Sequence, residues 1–351
     1  MVNKLVYRDF DEFAESLVGI DGHVIPTARQ TSEWWIERAD GGGNWLEAFQ
    51  MGGPATFAGQ GKSGHLTVAV PITQSGHLRV NGSRLEPDEF VLLGEEQPFT
   101  FAWQDVVRWV GITVPKNTTL IDPDLLHTRP NSGSRLRTSM AQLNRFRAMV
   151  SRIIFHKEHI ETGDPAASLM AAQKGLALCL TRLLEHSIKP PDRPVTRPPL
   201  SRRRVIARTL ALIEAQQGEP LFIADLCRAT QVSERTLRNI FCEYFGVGPM
   251  RLLKAIQLHS IRTALLRADL ERDTVTNIAG RFGIWDFSLF ARNYKAMFSE
   301  LPSTTLRTPP PPAYVQSKSV PVGWLQYASQ IVMGEGTLLG PRLRKAGDEA
   351  P

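Results

Sequence analysis

Apolar and polar positions along this chain change their period near residue 134, and the change separates two kinds of architecture. From residue 5 to about 130, short apolar stretches (His65–Val70, His77–Val80, Glu89–Leu93, Phe99–Trp103, Val106–Val114) are broken by Gly, Pro and Asn. Leu78 and Val80 lead into Asn81-Gly82, a dipeptide suited to a two-residue hairpin turn, and a strand-like return follows. Short strands at this spacing predict a small barrel or jelly roll. From Ser134 the period is helical, with Leu136, Met140, Leu143, Phe146, Met149, Val150, Ile153 and Ile154 on one face. A second helix is predicted from about Pro165 to Ser187, with Leu169, Leu176, Leu180 and Leu183 aligned. Two such stripes either pack back on the barrel or pair with another subunit, and the reading leans to pairing.

The run KPPDRPVTRPP (Lys189–Pro199) is poor in apolar residues and stiffened by proline, so it marks a domain boundary. Helical patterning resumes at Ser201 and runs to about Arg307. Beyond Thr308 a run of prolines opens a tail expected to be poorly ordered. The predicted class is therefore α+β. Its parts are a β-rich domain over 1–132, a helical segment over 133–188, the linker 189–199, an all-α domain over 200–308 and the tail 309–351.

Within the helical domain one pattern occurs twice. Residues Leu226–Pro249 read LCRATQVSERTLRNIFCEYFGVGP, and Ile278–Pro302 read IAGRFGIWDFSLFARNYKAMFSELP. Leu237, Phe241, Phe245 and Pro249 match Phe290, Tyr294, Phe298 and Pro302, each 53 positions later. Such a duplication predicts one helix-turn-helix unit used twice. In the first copy Ile223, Leu226 and Cys227 face inward, the chain turns at Gln231-Val232, and Ser233 is placed to cap the next helix. That helix buries Leu237, Ile240, Phe241 and Phe245, leaving Glu234, Arg235, Arg238 and Asn239 outside. In the second copy Gly283 makes the turn, Asp286 takes the cap position, and Leu289 or Phe290, Tyr294 and Phe298 supply the core. Ser288, Arg292 and Lys295 remain outside. Between the copies, Pro249 to about Ala268 is one long helical pattern, stiff enough to hold both units at a fixed separation.

Charge sharpens this picture. Residues 1–200 carry 21 basic and 22 acidic side chains, whereas 201–308 carry 16 and 10. The basic excess therefore lies on the duplicated segment, as phosphate binding requires. An arginine fork fits guanine O6/N7 and an asparagine fits adenine N6/N7, so Arg235, Arg238 and Asn239 suit a reading helix.

These residues carry a resemblance. Residues from about 201 to 307, above all SERTLRNIFCEYFGVGPMRLLKAIQLHSIRTALL and VTNIAGRFGIWDFSLFARNYKAMFSELPSTTL, resemble the DNA-binding domain of the AraC/XylS family of bacterial transcription regulators. The second half is most similar to the ethanolamine-operon-regulator branch. The resemblance implies base reading by Arg235, Arg238 and Asn239 in the first unit and by Phe287, Ser288, Leu289 and Arg292 in the second. Lys295, Arg281, Arg202, Arg203 and Arg204 are candidates for phosphate, although the SRRRV run reads equally as a solvated helix start. Three positions depart from the family pattern: Asn239 stands where Arg is common, Ile284 replaces Phe, and Asp286 replaces Ser. The partners implied are double-stranded promoter DNA, an unknown small-molecule effector bound by the N-terminal domain, a second copy of the chain, and RNA polymerase. Activation is favoured over repression.

Other chemistries find less support. With 42% apolar and 22% charged residues the composition is that of an ordinary soluble protein, and no apolar run approaches a membrane span. MVNKLVYRDFDEF carries acids where a signal peptide needs an apolar stretch, and three scattered cysteines form no disulfide framework, so a cytoplasmic setting is expected. His65, His77 and His127 lack metal-ligand spacing, Gly41-Gly42-Gly43 lacks the Lys of a phosphate loop and reads as a mobile turn, and no nucleophile-base set stands out. The expectation is a non-enzyme without cofactor. Trp34, Trp35, Trp45, Trp103 and Trp109 line either a ligand pocket or the barrel core, with the core preferred, and Cys227 reads as packing rather than redox sensing. The alternative is an unregulated DNA-binding protein whose barrel is a scaffold or a small-molecule enzyme.

Overall fold

The structure, a computed structural model, describes residues 3–7, 9–40, 44–72, 77–118, 134–155, 165–190, 199–216, 221–309 and 320–333. The triple glycine at 41–43, His127, most of the proline-rich linker and most of the tail lie outside these residues.

Among the described residues, the N-terminal part is built on twelve strands. These are β1 (Asn3–Tyr7), β2 (Ile20–Pro26), β3 (Trp34–Asp40), β4 (Trp45–Met51), β5 (Ala55–Gly61), β6 (His65–Pro71), β7 (Arg79–Val80), β8 (Ser83–Arg84), β9 (Glu89–Leu93), β10 (Pro98–Trp103), β11 (Val107–Pro115) and β12 (Ser134–Arg137). They form two sheets, a larger one in the order β1-β3-β4-β11-β6-β9-β12 and a smaller one in the order β2-β5-β10-β7-β8. Of the two expected forms, the described strands fit the jelly roll and not the closed barrel: they make two open antiparallel sheets packed face to face. Asn81 and Gly82 both hold positive φ, at 49° and 78°, and join β7 to β8 in the short hairpin.

The larger sheet is covered on both faces. Between the sheets lie Val24, Phe57, Phe99 and Phe101 of the smaller one and Ile36, Phe49, Val91, Leu93, Val107 and Trp109 of the larger. Helix α1 (Phe10–Ser16) adds Phe10, Phe13 and Ala14 to this core. On the opposite face Phe90, Leu92, Val110, Ile112 and Val114 meet helices α2 (Met140–Phe155) and α3 (Pro165–Glu185). Successive residues of β9 thus enter different cores, which is why the strand reads as an unbroken apolar run rather than an alternation.

Two expectations change here. Ser134–Arg137 is a strand paired with β9, not the start of a helix. Leu143, Phe146, Val150 and Ile154 of α2, with Leu176, Leu180 and Leu183 of α3, are buried against the larger sheet. Of the two expectations for these stripes, packing back on the sheet is the one their described residues follow, because the sheet presents an apolar outer face that needs cover.

The C-terminal part is helical: α4 (Pro199–Ala215), α5 (Ile223–Thr230), α6 (Glu234–Phe245), α7 (Pro249–Leu266), α8 (Val275–Arg281), α9 (Phe287–Phe298) and α10 (Pro302–Arg307). Within the tail, where poor order is expected, Val320–Met333 forms a further helix, α11. Its Trp324, Leu325 and Ala328 are buried together with Ile25 and Ala58 of the smaller sheet and with Val205, Phe241 and Phe245. Burying this apolar set supplies the order that the surrounding Gly and Pro composition conceals.

Candidate DNA interface

Each unit places its exposed side chains through a local device. Gln231 ends α5 in the left-handed region, at φ 57°. Ser233 follows, and its Oγ accepts the Thr236 N–H at 3.2 Å, satisfying one of the free donors at the start of α6. Leu237, Ile240, Phe241 and Phe245 then face the core, and Gly246 closes the helix at φ 71°. With that stripe buried, Glu234, Arg235, Arg238 and Asn239 are exposed.

The second unit repeats the plan. Thr274 caps α8 by accepting the Asn277 N–H at 3.1 Å, and Gly283 turns the chain at φ 73°, where a side chain would be strained. Asp286 Oδ1 accepts the Leu289 N–H at 2.9 Å. Phe290 and Tyr294 are buried, and the Tyr294 hydroxyl donates to Thr305 Oγ1 at 2.8 Å. Of the two core candidates, Phe290 is inside and Leu289 is outside. Ile284, where the family pattern has Phe, is buried in the same cluster. Phe287, Ser288, Leu289, Arg292 and Lys295 are exposed. Both helices are 12 residues long. The 18-residue α7 between them spans ~27 Å, the order of one turn of B-DNA.

The cations fall into two groups. Arg235, Arg292, Lys295, Arg203 and Arg204 are exposed and form no ion pair among the described residues. Arg238 is held by Glu234 at 2.6 Å, Arg281 by Asp273 at 2.8 Å, and Arg202 by Glu243 at 2.5 Å. The Arg238–Glu234 pair is exposed on both sides, so it is weak and opens at little cost. Burial, then Glu234, pushes the Cys227 thiol up, so it stays protonated and acts as packing.

Sequence reasoning missed two features. Trp285, between the turn glycine and the cap, is 83% exposed and is the most exposed large apolar side chain among the described residues. Its only sequence signal is a bulky aromatic where the first unit has Val232. The other is a buried polar junction between α1 and the helical domain. Arg262 of α7 meets Asp9 at 2.7 Å and Glu300 at 3.4 Å, and His259 meets Asp11 at 3.4 Å. Burial opposes the Arg262 charge, but the carboxylates of Asp9 and Asp11 outweigh it and hold the guanidinium protonated. Phe10 stacks on Phe298 at 5.9 Å beside this junction. The α1 side of this junction and its helical partners lie far apart in sequence, as Asp9 and Arg262 do, so no local pattern announces them.

Comparison with known proteins agrees with this geometry. A helix-turn-helix domain family matches residues 226–308. A probable thc operon regulatory protein from Rhodococcus erythropolis is 39% identical over 106 residues, covering 30% of this chain and 32% of that protein. A XylDLEGF operon transcriptional activator from Pseudomonas putida is 32% identical over 100 residues, covering 28% and 31%. The chain thus spans about a third of the length of these curated relatives. The crystal structure of a probable AraC family transcriptional regulator from Rhodopseudomonas palustris is 31% identical, covering 30% of this chain and 98% of that one, with a TM-score of 0.28. That score adds no weight, and the sequence matches carry the assignment. Residues 226–308 are a helix-turn-helix domain of the AraC/XylS family. No helix among the described residues is long and apolar enough to cross a membrane.

Proposed function

We propose that the whole chain is a sequence-specific DNA-binding transcription regulator, controlled by a small molecule acting on the N-terminal sandwich. The observation that carries this reading is the pair of capped 12-residue helices whose unburied faces hold Arg235, Arg238 and Asn239 on one and Phe287, Ser288, Leu289 and Arg292 on the other. Lys295, Arg281, Arg202, Arg203 and Arg204 supply phosphate contacts, which set affinity and not sequence preference. Activation is the sign adopted, because the Pseudomonas putida relative is a transcriptional activator. One pair of helices meets one stretch of duplex, so the reading does not require a second copy.

Control from the N-terminal part is supported by its contacts with both units. Gln104 donates to the Gly246 carbonyl at 2.9 Å and Arg251 to the Thr27 carbonyl at 3.0 Å, beside the first unit. The junction of α1 with Arg262 and Phe298 lies beside the second. A ligand that shifts the sandwich therefore biases both reading helices.

The test is binding of Arg235→Ala and Arg292→Ala to a footprinted promoter and to random DNA at fixed salt. Each variant is expected to lose ~1–3 kcal/mol on the specific site and much less on random DNA. Equal losses on both would reduce these residues to phosphate contacts.

A further inference from the structure

The two reading helices differ in chemistry at matched positions. Where α6 begins Glu234, Arg235, Thr236, α9 begins Phe287, Ser288, Leu289. Phe287 is 38% and Leu289 45% exposed, and Trp285 stands just ahead of them. Three of the twelve large apolar side chains exposed among the described residues thus fall within five consecutive positions. None of them completes the core of the unit, which Ile278, Ile284, Phe290 and Tyr294 already fill.

Resting on the DNA-binding reading above, we infer that the second unit reads thymine through its C5-methyl group, with Phe287 and Leu289 as the contacting side chains and Trp285 extending the apolar surface. The methyl is the one apolar group on the major-groove edge of a base pair, and apolar side chains are its natural partners. The rim of the patch favours duplex DNA over an apolar protein surface. Ser288, Arg292 and Lys295 on α9 and Arg281 on α8 are exposed as well, a set suited to a polyanion. Asp286, exposed at the cap, repels phosphate at this point and so turns the contact toward base edges. The first unit then selects by hydrogen bonds to guanine and adenine, and the second by methyl groups and by Arg292.

Deoxyuridine differs from thymidine only by this methyl, so substituting it leaves every hydrogen-bonding group in place. The experiment measures binding of the full chain, by fluorescence anisotropy at fixed salt, to a footprinted site carrying deoxyuridine in one half at a time. Substitution under the second unit is expected to weaken binding about fourfold for each contacted thymine, and substitution under the first unit much less. Phe287→Ala combined with Leu289→Ala is expected to bind thymine and deoxyuridine sites equally, and each alone to lose part of the preference, with circular dichroism confirming that these exposed replacements fold. Equal affinity of the unaltered protein for both sites, while Arg235→Ala still loses specificity, overturns the inference and leaves the DNA-binding reading standing. Loss of both effects removes that reading as well. Variants that keep the thymine preference but fail to activate transcription would assign the patch to a protein partner and also overturn the inference.

Discussion

Arg262 is the side chain whose environment says most about how the molecule is held together. A guanidinium taken out of water is tolerated only if its charge is met, and Asp9 at 2.7 Å and Glu300 at 3.4 Å meet it from two other elements. Asp9 also caps α1, accepting the Asp11 N–H at 2.8 Å and the Glu12 N–H at 3.1 Å. Asparagine keeps that cap and removes only the charge. Asp9→Asn is therefore expected to cost ~3–5 kcal/mol in urea unfolding, and Asp9→Asn combined with Arg262→Met much less. A single-variant loss below ~1 kcal/mol would show that the pair is not stabilising. Glu234 holds Arg238 at 2.6 Å with both side chains exposed, a pair worth ~0.3–0.5 kcal/mol. Glu234→Gln is expected to leave the melting temperature nearly unchanged while tightening DNA binding several-fold, because it frees Arg238 and removes an acid from the interface. Anisotropy titration reads this directly, and weaker binding would mean that Glu234 itself contacts a base.

Among the elements, α11 couples the two parts of the chain through a titratable contact. His23 of β2 faces it, with the Tyr327 ring 6.1 Å away and Gly323 so close that no side chain fits there. Burial, against the pull of Asp11 and Asp21 and helped by His259, holds the His23 pKa below its ordinary value near ~6.5. The unfolded chain then takes up a proton that the docked structure refuses. Stability is full above about pH 6.5 and falls as the pH drops through and below that value. His23→Gln is expected to remove this acid-side loss of melting temperature between about pH 7 and 5. An unchanged slope would place the titration elsewhere. Legibility at this scale followed locality. The helices of both units were readable because their caps, turns and apolar stripes lie within a few residues of one another. The helix α11 was not, since its apolar positions gain meaning only from Ile25, Ala58 and Phe245. Trp285 was visible as an aromatic, but its exposure depends on the path of the turn after Gly283.

At the scale of the whole molecule, the sequence revealed the strands but not how they close. Each strand of the sandwich shows its own apolar run, while sheet order is set by partners such as Val114↔Leu66 and Leu136↔Phe90, nearly fifty residues apart. Local pattern therefore leaves barrel and jelly roll, and intrachain and intersubunit packing of the helices, equally open, and only the sheet order separates them. The resulting body packs the smaller sheet, α1 and α11 against the helical domain. The central claim is that α6 and α9 enter successive major grooves on one side of a duplex. Guanine-methylation and hydroxyl-radical footprinting of the unaltered protein beside Arg235→Ala and Arg292→Ala tests it most directly. The account predicts two protected clusters about 10 base pairs apart on one face, with each variant losing a different cluster. A single cluster, or uniform fading of the whole footprint in both variants, would contradict it.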